Sequence, residues 1–202
     1  MRAAAPVHVK LSVSWASLAR LASIANSVTV SLSLHALRRA ALIATLVVFV
    51  PLSALDAGLH TSAAPNGIVS FELAGDGAPA ILQSWGEAQR RDALLLQGLD
   101  YLFLLVYAAL LACAALERGK SSNNARIVAL APLVAWLAVL AGIADAIENV
   151  PLILMLRSGP SSLGATVALV FASLKFALIS IVVAYLAVGW WLAREHAARQ
   201  PT

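Results

Sequence analysis

Five side chains are polar or charged in stretches that are otherwise apolar: Asp100, Asp145, Glu148, Asn149 and Lys175. Asp145, Glu148 and Asn149 fall at i, i+3 and i+4, one face of a helix. An ionised side chain at the centre of a bilayer costs on the order of 2.5–3.5 kcal/mol. If these stretches cross a membrane, their four ionisable groups must face inward and meet. Lys175 is expected to pair with Glu148 or Asp145. Tyr107 shares a helical stripe with Asp100, Phe103 and Leu104, so it can reach the same interior. Three carboxylates against one ammonium leave two negative charges if all ionise, which a low-dielectric interior disfavours. At least one of Asp100, Asp145 and Glu148 is therefore expected to hold a proton near neutral pH, unless a cation binds.

Such a group of residues is open to several uses. Buried polar groups lock helices in a fixed register. Paired carboxylates can take up and release protons or support acid–base catalysis. They can also receive a lipid or small amphiphile. Metal binding through Asp100, Asp145 and Glu148 is a further option, but no histidine shares their level, so neither a metal nor a cofactor is expected. His8, His35, His60 and His196 are scattered without ligand spacing, and Cys113 is the lone cysteine. No phosphate-binding glycine loop, Gly-x-Ser-x-Gly elbow or His-Glu-x-x-His motif occurs.

The elements that must position these residues follow from composition. The 202 residues are 61% hydrophobic and 12% charged, and the mean hydropathy is +0.86. Soluble domains run at about 45–50% apolar and about 25% charged. The numbers argue against a soluble enzyme, a disordered chain and a nucleic-acid-binding module, and for an integral membrane protein. Spans of roughly 20 residues are expected at about 39–58, 93–116, 126–156 and 163–192. At about 1.5 Å per residue, Asp100, Asp145, Glu148 and Lys175 lie roughly 10–18 Å deep, all in the outer half. Ala138, Ala141 and Gly142 extend the Asp145 face with small residues, and Ala168 and Ala172 do the same beside Lys175, which permits close helix approach.

Between the first two spans lies an expected outer cap over 59–92. Pro65-Asn66-Gly67 and Gly75-Asp76-Gly77 are turn chemistry. Residues 68–73 between them read as a short extended or interfacial piece, with Phe71 and Leu73 covering the end of the bundle. From about Ala78 an amphipathic surface helix is expected, ending in Arg90-Arg91-Asp92, with Trp85 as its interface anchor. Arg90, Arg91 and Arg157 are candidates for contact with lipid headgroups, and Arg157 can also snorkel inward. Tyr185, Trp190 and Trp191 read as an interfacial belt, and Glu117 to Asn124 as a polar turn. Pro51 is expected to kink the outer end of the first span.

Residues 1–36 are basic, Ser-rich and free of acid. A transit-like leader, an amphipathic surface segment and a loosely ordered tail all fit that composition. Val28, Val30, Leu32 and Leu34 alternate with a strand period, without a partner strand. Ten Lys and Arg fall on one side of the expected membrane, counting Arg2, Lys10, Arg20, Arg38, Arg39, Arg118, Lys120, Arg126, Arg194 and Arg199. Only Arg90, Arg91 and Arg157 fall on the other. The positive-inside rule places both termini, including the tail 194–202, in the cytoplasm.

Phe71-Glu72-Leu73-Ala74, Trp85, Asp100-Tyr101, Asp145-Ala146-Ile147-Glu148-Asn149 and Lys175-Phe176 occur in that order. This pattern resembles a family of small, uncharacterised bacterial four-span membrane proteins, over about 38–193. The resemblance implies a bacterial inner membrane and carries no function. The expected fold is thus an all-α, antiparallel four-helix transmembrane bundle with a short outer amphipathic helix. Its expected role is structural, accessory or sensory, with a proton- or ion-linked carrier and an intramembrane lipid-binding protein or enzyme as alternatives. Membrane lipids are the expected partners, with a second copy or another membrane protein possible and nucleic acid not expected.

Overall fold

A computed structural model of the protein describes residues 33–198, with side chains through 195. Among the described residues all regular structure is helical, with no strand. Arg2, Lys10, Arg20, most of the alternating run from Val28 and the end of the tail lie outside them. Leu34, the last residue of that run, opens helix α1, Leu34–Ala57. The Ser33 hydroxyl accepts from the Ala36 amide at 3.1 Å, an N-cap that starts the helix before Arg38-Arg39. The helix continues through Pro51 to Ala57.

The segment that follows is more helical than its sequence suggests. Residues 68–73 are not extended: Ile68–Glu72 forms the one-turn helix α2. Gly67 precedes it at φ +56°, and the Ile68 amide donates to Asp56 Oδ1 at 2.7 Å. The end of α1 thereby fixes the start of α2. Phe71 is buried, as expected of a residue covering the end of the bundle, but Leu73 is 42% exposed. A 3-10 turn at Gly75–Gly77 leads into α3, Ala78–Ser84.

Trp85 breaks the expected surface helix instead of anchoring it. Its backbone is extended, its side chain is buried against Phe71, and its indole N–H donates to the Leu59 carbonyl at 2.8 Å. A buried Trp needs such an acceptor, and this one makes Trp85 the centre of the cap. Arg90-Arg91-Asp92 consequently belong to the next helix.

That helix, α4, runs from Glu87 to Ser121; α5 spans Ala125–Ser158 and α6 spans Ser162–Ala198. The expected turn over Glu117–Asn124 shrinks to residues 122–124, because α4 continues through Glu117. Asn124 Oδ1 caps α5 by accepting from Arg126 N at 3.0 Å, and Ser161 Oγ accepts from Gly164 N at 3.1 Å near the start of α6. Tyr185 is not a belt residue: it is buried, and its hydroxyl donates to the Ile127 carbonyl at 2.8 Å. Trp190 and Trp191 are exposed.

The four long helices, α1, α4, α5 and α6, are each long and apolar enough to cross a membrane. Packing runs in order: α1 on α4, α4 on α5, and α5 on α6, while α1 and α6 barely meet. Small residues close the seams. A Cβ on Gly142 would stand 3.1 Å from Ala108 Cβ, and one on Gly119 only 2.4 Å from Ala131 Cβ. Two apolar clusters fill the ends of the bundle. Leu59, Phe71, Trp85 and Leu152 lie in the one at the cap end, and Ala115, Ala131, Ala138 and Val182 in the other.

Candidate functional site

Below the cap, α2, α4, α5 and α6 converge on an ionic centre. Lys175 of α6 stands at its middle, 5% exposed. Its Nζ donates to Glu72 Oε2 at 3.1 Å and to Asp145 Oδ1 at 2.9 Å. It also forms an ion pair with Glu148 Oε2 at 2.9 Å. Tyr107 of α4 donates its hydroxyl proton to Asp145 Oδ2 at 2.9 Å. The Asn149 amide donates to Asp100 Oδ2 at 2.7 Å, and Tyr101 donates to the Ala146 carbonyl at 3.3 Å.

The residues singled out from the sequence therefore occupy one layer in two linked groups. Asp145 and Glu148 contact the Lys175 ammonium and Tyr107 joins them through Asp145; Asp100 and Asn149 form a pair beside them. The i, i+3, i+4 spacing on α5 presents three of these side chains to the interior, where Asp145 and Glu148 are 3% and 0% exposed and Asn149 is 0% exposed. Both carboxylate ligands on α5 can reach the single ammonium because Ala168 and Ala172 are buried small residues on the α6 side.

Glu72 escaped the sequence reading. It lies 103 residues before Lys175, outside every expected span. A helical period in the cap would have exposed it: Ile68, Phe71 and Glu72 fall at i, i+3 and i+4, and all three are buried. Burial raises its carboxyl above the ordinary glutamate range, against the opposing pull of Lys175. Gln97 was also missed; its side chain is 1% exposed, and neither amide atom has a hydrogen-bond partner. Glu148 Oε1 and Asn149 Oδ1 are likewise buried without a hydrogen bond.

The centre is not sealed. A cavity of about 570 Å³ reaches it through the gap between α1 and α6. Its wall is largely apolar, with Phe49 and Leu52 from α1, Phe103 from α4 and Phe176 and Ile179 from α6; its polar floor is Glu72, Asp100, Tyr107, Asp145 and Lys175. Asp56 and His60, paired at 3.2 Å, border it near the cap.

The three arginines stand apart from this centre. The guanidinium of Arg90 donates to the carbonyls of Trp85 and Leu82, which ties α4 to the end of α3. Arg91 is exposed, with Asp92 Oδ1 at 3.7 Å from its Nε. Arg157 is exposed at the end of α5 and does not turn inward. Among the described residues, no three His, Cys, Asp or Glu side chains are arranged to hold a metal ion.

A separate carboxylate lies near the last turns of α4. Glu117, 8% exposed, pairs with His35 Nδ1 at 2.7 Å and Arg38 Nε at 2.8 Å, beside a cavity also lined by Arg118 and Lys120.

No family model matches the chain, and comparison with curated proteins and with solved structures gives no match.

Proposed function

We propose that this is a four-span protein of the bacterial cytoplasmic membrane that binds a small amphiphile in the cavity between α1 and α6, over the ionic centre. The spans are antiparallel, both termini face the cytoplasm and the cap lies outside. Four helices of sufficient length and apolarity support the membrane assignment. So do the exposed aliphatic and aromatic side chains along their flanks, such as Ile43, Val50, Leu105 and Trp136, which water would not tolerate in such numbers. The Lys and Arg asymmetry supports the orientation, and the resemblance supports the bacterial membrane.

The cavity carries the reading. A register lock needs charges that are fully enclosed, whereas here an apolar recess of about 570 Å³ leads laterally to the carboxylates and their lysine. Small-molecule sites occupy roughly 300–1,000 Å³ and combine apolar walls with a few convergent polar groups. An opening in the bundle flank admits a molecule from the outer leaflet without passage through water.

A photoreactive twelve-carbon alcohol, incorporated into membranes holding the full-length protein, tests this. Labelling is expected on Phe49, Leu52 and Ile179, and Ser53→Trp is expected to abolish it. Labelling spread evenly over outward residues such as Ile43 and Trp136 would overturn the reading.

A second reading rests on stoichiometry. With Glu72 included, four carboxylates face one ammonium, so the centre must hold protons or a cation unless three negative charges stay buried. Proton-linked transport through Glu148 predicts pH-driven flux in proteoliposomes that Glu148→Gln abolishes while the thermal melt is unchanged.

A further inference from the structure

The ligand's headgroup can be specified, on the assumption that the cavity binds an amphiphile. We propose that it is an organic cation, an alkylammonium whose charged head sits against Asp100 and whose tail lies along the wall formed by α1 and α6.

Of the four carboxylates, three already touch the Lys175 ammonium: Glu72, Asp145 and Glu148. Asp100 does not. Among the described residues its hydrogen-bond partner is the neutral Asn149 amide, and it forms no ion pair. It nevertheless lines the cavity. A half-buried carboxylate facing an apolar recess is stabilised by a cation brought in from outside, and among the described residues no basic side chain pairs with Asp100 directly.

The ammonium of Lys175 cannot serve an anionic head. Its three N–H groups face three carboxylates, and a carboxylate or phosphate brought into the cavity would meet Asp100, Asp145 and Glu72 first. A neutral alcohol would leave the negative excess uncompensated. Glu148 Oε1, wholly buried without a hydrogen bond in the same layer, adds to the unmet acceptor capacity.

The aromatic rings that line the cavity with Asp100 suit the same ligand. Phe103 lies one turn along α4, with its centroid 5.4 Å from that of Tyr107 and 6.1 Å from that of Phe49 on α1. All three rings line the cavity. Aromatic faces attract cations within about 6 Å of their centroids, and quaternary ammonium groups are bound in this way elsewhere. An acid and three rings lining one apolar recess thus select a positive head on an apolar tail. The proton-holding alternative would need neither the rings nor the recess.

Competition against the photoreactive alcohol tests this on the full-length protein in membranes. The competitors are dodecyltrimethylammonium, dodecylammonium, dodecanol and dodecanoate. A lysophosphatidylethanolamine distinguishes an ammonium carried on a lipid headgroup from a free amine. At least one ammonium competitor is expected to displace the probe at a concentration at least tenfold below dodecanol, with dodecanoate weakest. Asp100→Asn is expected to erase that tenfold preference while leaving competition by dodecanol in place. Phe103→Leu, which removes the ring but keeps an apolar side chain and the Asp100 carboxylate, is expected to lower the preference about threefold. Equal displacement by dodecanol and both free ammonium compounds would overturn the cationic head and leave the amphiphile site standing. Failure of every competitor, with the probe labelling residues at random, would remove the site itself. An ammonium preference unchanged in Asp100→Asn and in Phe103→Leu would also overturn the assignment.

Discussion

The two ends of α4 carry opposite charge arrangements. Near its start, one lysine serves several carboxylates, and nearly everything is buried. Near its end, one carboxylate, Glu117, is served by His35 and Arg38, whose side chains are 74% and 43% exposed, with Arg118 and Lys120 close by. At the Glu117 end water screens what the protein leaves unbalanced. At the Lys175 end the charges lie buried behind apolar walls, so an imbalance is met by protons, by an imported cation or by a ligand. Carboxylate–cation pairing is thus opened to solvent by its exposed basic partners in one place and creates a demand for a partner in the other.

The sharpest break of this contrast is Lys175→Met. Removing one member of a buried ion pair costs about 3–5 kcal/mol, and here it leaves three carboxylates without their ammonium. Thermal unfolding in detergent is expected to show the largest loss of any single substitution, and Lys175→Met combined with Glu148→Gln is expected to lose less than Lys175→Met alone. A melt unaffected by Lys175→Met would erase the distinction between the two ends.

Tyr107→Phe comes next. It strips Asp145 of a hydrogen bond to a charged acceptor, worth about 1.5–3 kcal/mol, and the same melt reads it. Gly119→Ala probes packing at the Glu117 end without touching charge. The new methyl would overlap Ala131, and overpacking costs about 1–3 kcal/mol. A null effect there would mean that α4 and α5 can separate at this end.

Glu117→Gln should matter least, by no more than about 1 kcal/mol. Its effect is expected to fade as salt rises from 10 mM to 1 M, roughly the range over which the screening length falls from about 30 to about 3 Å. The Lys175→Met loss is expected to persist over that range. A salt-insensitive loss at Glu117 would show that this end too is closed to water.

Much of this was legible in the residues. Unbroken apolar runs give four long helices because a backbone among apolar side chains satisfies its own hydrogen bonds most simply as a helix. The spacing of Asp145, Glu148 and Asn149 places them on one face wherever that helix sits. Helix ends were less legible: Ser33 starts α1 early, and Glu87 and Ser121 bound an α4 longer than its apolar stretch, because polar first and last turns extend beyond the hydrophobic length. The cap was read least well. Glu72 sits in a run too short for its helical period to stand out, and Trp85 ends the helix its pattern announces. Glu72, Trp85 and Arg90 each acquire a role from a partner distant in sequence or across a break in the helix.

Sequence alone therefore determined that the chain builds four apolar helices and that a few charged residues must share their interior. Those are consequences of local periodicity and of the cost of isolated charge. Tertiary structure decided that Glu72 joins the lysine from outside the helices, that Asp100 is left without a cation, and that α1 and α6 stay apart to leave a recess beside it. Those depend on which surfaces meet after folding, and no periodicity within a single segment encodes the distance between two segments that barely meet.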